Sequence, residues 1–272
     1  MSLPGNSLHP GLLAVAQRAG LTKRLMDRWS SARPSNFDAM AATLDIGPLD
    51  EATGLLSHHP IGVSTGIFAG DRGRWPRLVD DACGISSYVV ELSALSGGEL
   101  PGLLSYLGSG PALPFRYLSV HAPAKNFDER VAVDQLCELP LAVRSVVLHP
   151  DVIVDVALWK RLKTRAVIEN MDDRKKGGRT VDELKPIFKA LPEAGFCFDV
   201  AHAWSLDPTM ELAHSLLDQF RASLRQVHLS SLDSAGHHIP LRREDAQLFT
   251  DVLSRCTDVP WILEAMPPAG WV

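Results

Sequence analysis

The sequence predicts an α/β protein built as a closed (β/α)8 barrel of parallel strands. Three observations predict it. From Pro60 onward, eight short runs rich in Val, Ile, Leu and Phe alternate with helix-patterned stretches. That is the pattern of parallel strands joined by helical crossovers. Six of these runs end in a residue able to hold a metal, at intervals of 20 to 36 residues. The chain has 272 residues, 46% of them apolar, enough for one such barrel and its core. An open doubly wound sheet is the rival architecture, but it would not gather side chains from six strand ends at one point.

Each element is justified in turn. Ile61 to Thr65 is a β-branched run and a first strand. Trp75 to Cys83 has helical spacing and meets a stop signal at Gly84. Tyr88 to Leu92 is a second strand, and Gly98 to Leu107 a short helix. The six ligand-tipped strands follow. Tyr117-Leu118-Ser119-Val120 leads into His121, Val146-Val147-Leu148 into His149, and Ala166-Val167-Ile168 into Glu169. Phe196-Cys197-Phe198 leads into Asp199, Gln226-Val227 into His228, and Trp261-Ile262-Leu263 into Glu264. Helical patterns fall between most of them, at 128–139, 151–162, 181–190, 209–223 and 243–256. Thr180 with Glu183 is a capping-box signature ahead of the third of these.

The barrel departs from the simplest form at both ends. The chain ends eight residues after Glu264, which leaves no room for a full eighth helix. Residues 1–59 carry helical patterns at 12–19, 21–29, 37–44 and 49–56. We expect 1–59 to form a helical extension packed on the barrel, standing in for the missing helix. Residues 60–272 then form the barrel, in a single domain overall.

Composition narrows the function classes. There are 27 Lys and Arg against 32 Asp and Glu, a net charge of −5. A broad nucleic-acid surface would leave a basic footprint, so the balance argues against one. Cys83, Cys137, Cys197 and Cys256 form no CxxC pair and read as reduced thiols. The start lacks a basic segment followed by an apolar one, so no signal peptide is expected. No apolar run approaches the ~20 residues of a membrane span. A cytoplasmic protein is the expectation.

In a parallel barrel the C-terminal strand ends converge on one face, so these ligand types can meet. Mixed carboxylates and imidazoles suit Zn, Mn, Co or Fe. Glu169, in the middle of the set, is the natural bridge between two ions. Further donors lie just beyond the strands: His202, three residues after Asp199, and the pair His237-His238, of which His238 is favoured. This is too many for one ion. Either two or three divalent ions bind, or one binds and the other histidines handle substrate.

At this point the motifs form a set. They are Ser119-Val120-His121-Ala122-Pro123, Leu148-His149-Pro150, Ile168-Glu169-Asn170 and Phe198-Asp199-Val200-Ala201-His202-Ala203. Val227-His228-Leu229, His238-Ile239-Pro240-Leu241 and Leu263-Glu264 complete it. In this order, over roughly Pro60 to Pro267, the chain resembles the xylose isomerase-like TIM-barrel superfamily. That group includes sugar isomerases and epimerases and endonuclease IV. The epimerase branch implies that Glu169, Asp199, His228 and Glu264 hold one divalent ion. Glu169 and Glu264 would then act as a catalytic acid/base pair. The endonuclease IV branch implies a trinuclear zinc cluster. His121 and His149 would serve one ion with Glu169 bridging, and His202 and His238 would serve the third. The sequence departs from that pattern where the nuclease has an Asp two residues before the match to His238. Gly236 stands there, and Asp233 is offset. No DNA-penetrating aromatic or basic loop is evident either.

The loop Asp172-Asp173-Arg174-Lys175-Lys176-Gly177-Gly178-Arg179 follows Glu169 on the active face. It reads either as a lid whose Lys175 and Lys176 grip a phosphate or carboxylate, or as a solvated loop. Asn170, Trp204 and Glu91 are further candidates for substrate contact, each with a structural alternative. His9, His58, His59 and His214 read as ordinary surface or core residues. Lys163 and Arg165 fall on the opposite face.

The expected function is therefore a divalent-metal-dependent isomerase or epimerase. It would move a proton on a small sugar, polyol or hydroxy-carbonyl compound. A di- or trinuclear zinc phosphoester hydrolase is the alternative. A third reading is a non-catalytic barrel that binds a metal or ligand, against which the intact Glu169/Glu264 pair argues. Oligomeric state has no signature in the sequence.

Overall fold

The structure is a computed structural model that describes residues 59–267. Eight strands close into a barrel of parallel neighbours. They are β1 (Ile61–Ser64), β2 (Val89–Ser93), β3 (Tyr117–His121), β4 (Ser145–Leu148), β5 (Ala166–Glu169), β6 (Gly195–Asp199), β7 (Leu224–Leu229) and, last in the chain, β10 (Trp261–Leu263). β10 pairs with both β7 and β1, which completes the ring. The helices are α1 (Trp75–Ile85), α2 (Leu100–Gly108), α3 (Glu129–Cys137), α4 (Val156–Trp159), α5 (Val181–Ala190), α6 (Val200–Leu206), α7 (Glu211–Phe220) and α8 (Arg243–Ser254). The predicted eight-stranded barrel is thus the fold.

The two-residue period of a strand decides what faces where. Leu118 and Val120 of β3, Ile168 of β5, Phe196 and Phe198 of β6 and Val227 of β7 point outward. They join the main core beneath the helices. The alternate positions point into the barrel. Low in the interior these are apolar, as with Val147, Val167 and Cys197, or Val89, Tyr117 and Ile262. Higher up they are polar: Glu91, Ser119, Gln226 and His228, all with no solvent exposure. The ligand types at the strand ends continue these inward rows. Gly62 of β1 lets the wall close, because a Cβ there would overlap the Val89 backbone carbonyl and side chain.

Four expectations change. Helix α1 runs through Gly84 to Ile85 rather than stopping before it. The helix expected over 151–162 is broken into a 3-10 turn (Pro150–Val152), α4, and a second 3-10 stretch (Lys160–Arg165). Asp155 caps α4 by accepting from the Ala157 amide (3.0 Å), which starts the helix late. Helix α6 was not anticipated: the Asp199 carboxylate accepts from the His202 amide (2.7 Å) and so caps a helix while also tipping a strand. A small antiparallel pair, β8 (Ser231–Leu232) with β9 (His238–Ile239), was not anticipated either. At α5, Thr180 caps as expected (3.3 Å from the Glu183 amide), but Glu183 reaches back to the Arg179 amide (2.7 Å).

The helical patterns within 1–58, with His9 and His58, lie outside the described residues, as does the chain after Pro267. Among the described residues no helix is long and apolar enough to cross a membrane.

Candidate metal centre

The strand ends bring eight predicted ligand types together in three overlapping sets. His121, His149 and Glu169 form one. Glu169, Asp199, His228 and Glu264 form a second, and Asp199, His202, His238 and Glu264 a third. Within each set the donor atoms lie within 4.8 Å of one another. The sets share carboxylates: Glu169 belongs to two, and so do Asp199 and Glu264.

Four of the five imidazoles are oriented through one ring nitrogen and turn the other toward a carboxylate, whereas His149 Nδ1 has no hydrogen-bond partner. His121 Nδ1 donates to the Ala122 carbonyl (2.8 Å), leaving Nε2 3.4 Å from Glu169 Oε2. His149 Nε2 lies 3.4 Å from that same oxygen. His228 donates from Nε2 to Glu91 Oε2 (3.2 Å), while Nδ1 lies 3.3 Å from both Glu169 Oε1 and Glu264 Oε1. His202 Nδ1 donates to the Asn170 carbonyl (2.9 Å), which frees its Nε2. His238 Nδ1 meets Ser230 Oγ (2.7 Å) and its Nε2 lies 3.4 Å from Glu264 Oε2. A second partner that fixes the tautomer is the usual condition of a metal-ligating histidine.

These separations test whether a cation fits. At 3.3 to 3.4 Å the facing nitrogen–oxygen pairs lie beyond the normal range of an N–H···O hydrogen bond. Two ligands on a tetrahedral ion with bonds near 2.1 Å stand about 3.4 Å apart. Buried polar atoms without a hydrogen-bond partner are rare, because leaving one unpaired is costly. Glu169 Oε2 and Asp199 Oδ2, both in the shared carboxylates, are such atoms. The donor set therefore fits divalent cations, and the N/O chemistry fits Zn, Mn, Co or Fe.

The electrostatics agree. Burial alone would raise the Glu169 carboxyl, but the His228 charge and the His121, His149 and His228 imidazoles that face it hold it well below the usual carboxylate range. Glu264 goes the other way. Burial pushes it well up, and although His228 pulls it down, the Glu169, Asp199 and Glu91 carboxylates add to the rise. Burial lowers His238 to about 4. Four acidic groups crowded around one point repel each other, and positive charge at their centre relieves this.

The remaining candidates are placed differently. Asn170 is fully buried: its Nδ2 donates to the Asp199 carbonyl (2.8 Å) and its Oδ1 accepts from the Asp199 amide (2.9 Å). It braces the strand end through both atoms of its side-chain amide. Glu91 is also fully buried, beneath the metal sets, where Oε2 accepts from Ser119 Oγ (3.0 Å), Gln226 Nε2 (2.8 Å) and His228. The strand register explains this: His121 pairs with Ser93, so Glu91 sits two residues below the ligand level. Both residues have the structural hydrogen bonds that were the alternative to substrate contact. Trp204 is half-buried against the main core. Lys175 bonds Asp151 Oδ2 (2.9 Å), whose other oxygen lies 3.9 Å from His149 Nδ1, and Lys176 is exposed. His237 is exposed and tied to Asp233 in the β8–β9 turn, so Asp233 serves the turn and not the metal sets. Arg165 bonds the Leu139 and Cys137 carbonyls on the opposite face, and His59 is buried against Trp261.

Sequence reasoning missed three contributors. Gln226 lies two residues before His228 on the same inward row, a spacing that could have found it. Ser230 orients His238. Asp172, three residues after Glu169, is buried with Oδ2 3.9 Å from His202 Nε2.

No protein-family model and no curated protein matches the sequence. Solved structures do resemble the fold. The AsfvAP:AG structure superposes with a TM-score of 0.50 at 14% identity, over 76% of this chain and 92% of that one. Endonuclease IV from Thermus thermophilus gives 0.49 at 17% identity, over 77% and 93%. An L-ribulose 3-epimerase gives 0.49 at 12% identity, over 77% and 82%. At these identities the likeness is one of fold. The chain has the TIM-barrel architecture that the resemblance to the xylose isomerase-like superfamily implied.

Proposed function

We propose that this chain is a metal-dependent phosphoester hydrolase working through at least two divalent ions. One observation carries the reading: Glu169 turns its two carboxylate oxygens to different donor sets. Oε2 faces His121 and His149, and Oε1 faces His228. A carboxylate used this way is a bridge. Single-ion proton transfer would need Glu169 to offer an oxygen to a substrate carbon, and its side chain is 1% exposed with each oxygen turned to a different set of imidazoles. The geometry thus favours hydrolysis over the isomerase or epimerase that the sequence placed first.

Bound ions would supply Lewis-acid stabilisation of the negative charge that develops on phosphoryl oxygens. The chain's own residues do the rest. His121, His149 and Glu169 would hold one ion; Glu169, Asp199, His228 and Glu264 would hold another. Glu91, through His228 Nε2, fixes the imidazole so that Nδ1 faces the second set. His202 and His238, at the Asp199 and Glu264 edge, either complete a third set or meet substrate. Glu264 is the most open carboxylate of the second set, with its side chain 14% exposed, so substrate approaches from its side. Hydrolysis would add water across the phosphorus–oxygen ester bond, releasing a phosphate and an alcohol.

Proton transfer on a hydroxy-carbonyl compound is the second reading. The set Glu169, Asp199, His228 and Glu264 can hold one ion by itself, and Glu264 opens toward solvent. Chromogenic phosphomonoesters and phosphodiesters test the choice. The proposal expects turnover that a chelator abolishes and divalent metal restores. No turnover, together with solvent deuterium appearing at a carbon of a sugar substrate, would favour the second reading.

A further inference from the structure

The β8–β9 turn carries a cation at the edge of the third donor set. Gly236 lies in this turn at φ +77°. A Cβ there would fall 3.0 to 3.3 Å from Nε, Cδ and Cζ of Arg174. The absence of a side chain at 236 is what lets Arg174, from the loop after β5, lie across the turn. Its guanidinium is fixed from one side by Asp172, whose Oδ2 accepts from Nε (2.7 Å) and from Nη2, while Oδ1 accepts from the Arg174 amide (3.1 Å). Asp172 is 2% exposed, whereas the Arg174 side chain is 43% exposed. The same Asp172 oxygen lies 3.9 Å from His202 Nε2. The guanidinium is thus two contacts from the third donor set, with Nη1 uncommitted among the described residues.

Asp172, between the guanidinium and His202, offsets one positive charge, but the half-exposed guanidinium keeps Nη1 without a partner among the described residues and so can meet a second anion. Guanidinium matches a phosphate or carboxylate through paired N–H donors, and a buried carboxylate behind it removes the entropy cost of ordering it. We infer that Arg174 is an anion-binding residue that takes a phosphoryl oxygen of the substrate at the His202/His238 edge of the site. Asp172 positions it, and Gly236 makes room for it. Lys175, tied to Asp151 near His149, sets a second positive charge on the opposite flank. The substrate class is then an organic phosphate rather than a neutral sugar, which rests on the hydrolase reading above and deepens it.

The test uses the full-length, metal-loaded chain with inorganic phosphate as probe. Phosphate affinity is read by titration calorimetry at constant ionic strength, and metal content by elemental analysis on the same samples. Arg174→Gln should weaken phosphate binding about ten-fold or more with metal content unchanged. Gly236→Ala, which displaces the guanidinium without removing it, should weaken it in the same direction. Lys160→Gln, an equal charge loss at the other end of the barrel, should stay within about two-fold of wild type. Phosphate affinity unchanged in Arg174→Gln would overturn the inference. So would a parallel loss of metal, which would mean that Arg174 acts only by supporting Asp172 and the histidines. A wild-type chain that takes up no metal would instead overturn the underlying metal reading, and this inference with it.

Discussion

Replacing Glu91 with Gln changes one buried atom pair and leaves the ligands themselves untouched. In the structure Glu91 Oε2 accepts three hydrogen bonds, from Ser119 (3.0 Å), Gln226 (2.8 Å) and His228 Nε2 (3.2 Å). The last of these keeps His228 Nδ1 directed at Glu169 and Glu264. A Gln at this position still accepts through its carbonyl oxygen, but the bond to His228 loses its ionic character. The amide NH2 also takes the place of Oε1, which has no partner, and becomes a buried unpaired donor. Losing a carboxylate behind a metal-bound histidine weakens metal affinity ~10- to 100-fold, or about 1.4 to 2.8 kcal/mol. Glu91→Ala should reach the upper end and also destabilise the metal-free protein by about 3 kcal/mol, since it leaves three buried donors unpaired. Competition with a chromogenic chelator reads the affinity, and thermal unfolding without metal reads the stability. Metal affinity in Glu91→Gln within about two-fold of wild type would refute the reasoning.

Further consequences follow from the same structure. Glu169→Gln and Glu264→Gln should each lose bound metal and at least ~100-fold in activity, more than any outer partner costs; full metal retention in both variants would show the ligand set to be wrong. Gly62→Ala should destabilise the protein by about 2 to 3 kcal/mol in urea unfolding, since the added methyl meets the backbone of β2; a neutral result would mean that the barrel closes less tightly than described. His59 is buried on Trp261, with Nε2 2.7 Å from the Val259 carbonyl, and burial lowers its pKa from 6.5 to about 4. Its folded pKa lies below the unfolded one, so its contribution is present above pH 6.5 and is lost as pH falls through about 4. The full effect is at most about 3 kcal/mol. Comparing His59→Asn with wild type by urea unfolding across pH 4 to 7 isolates it, and equal pH slopes in the two proteins would reject the assignment.

The strands and the convergence of their end residues were legible because a parallel barrel strand is buried on both faces. It shows as a short apolar run whose inward row ends in a residue of ligand type, as in Ala166 to Glu169 or Phe196 to Asp199. What failed did so for local reasons. Between 151 and 162 the apolar residues suit a helix, but several are β-branched, and Pro150 and Asp155 impose a turn and a late cap. Asp199 was read for its strand end alone, although one carboxylate can tip a strand and cap α6 with different oxygens. Glu91 looked like a strand end because the extension of β2 to Ser93 depends on pairing with β3, which lies beyond local sequence. Two-residue strands such as β8 and β9 carry no periodicity at all. Asp172 and Arg174 were hidden in a charged loop, where only the three-dimensional path shows which charges turn inward.

The central claim is that the barrel mouth holds more than one ion, bridged by Glu169. Elemental analysis of wild type, His121→Ala and His149→Ala, all purified without chelator, tests it most directly. The account predicts two or three divalent ions per wild-type chain. It also predicts that each histidine variant loses one ion while keeping the one held by Asp199, His228 and Glu264. A single ion per chain that both variants retain in full would contradict it.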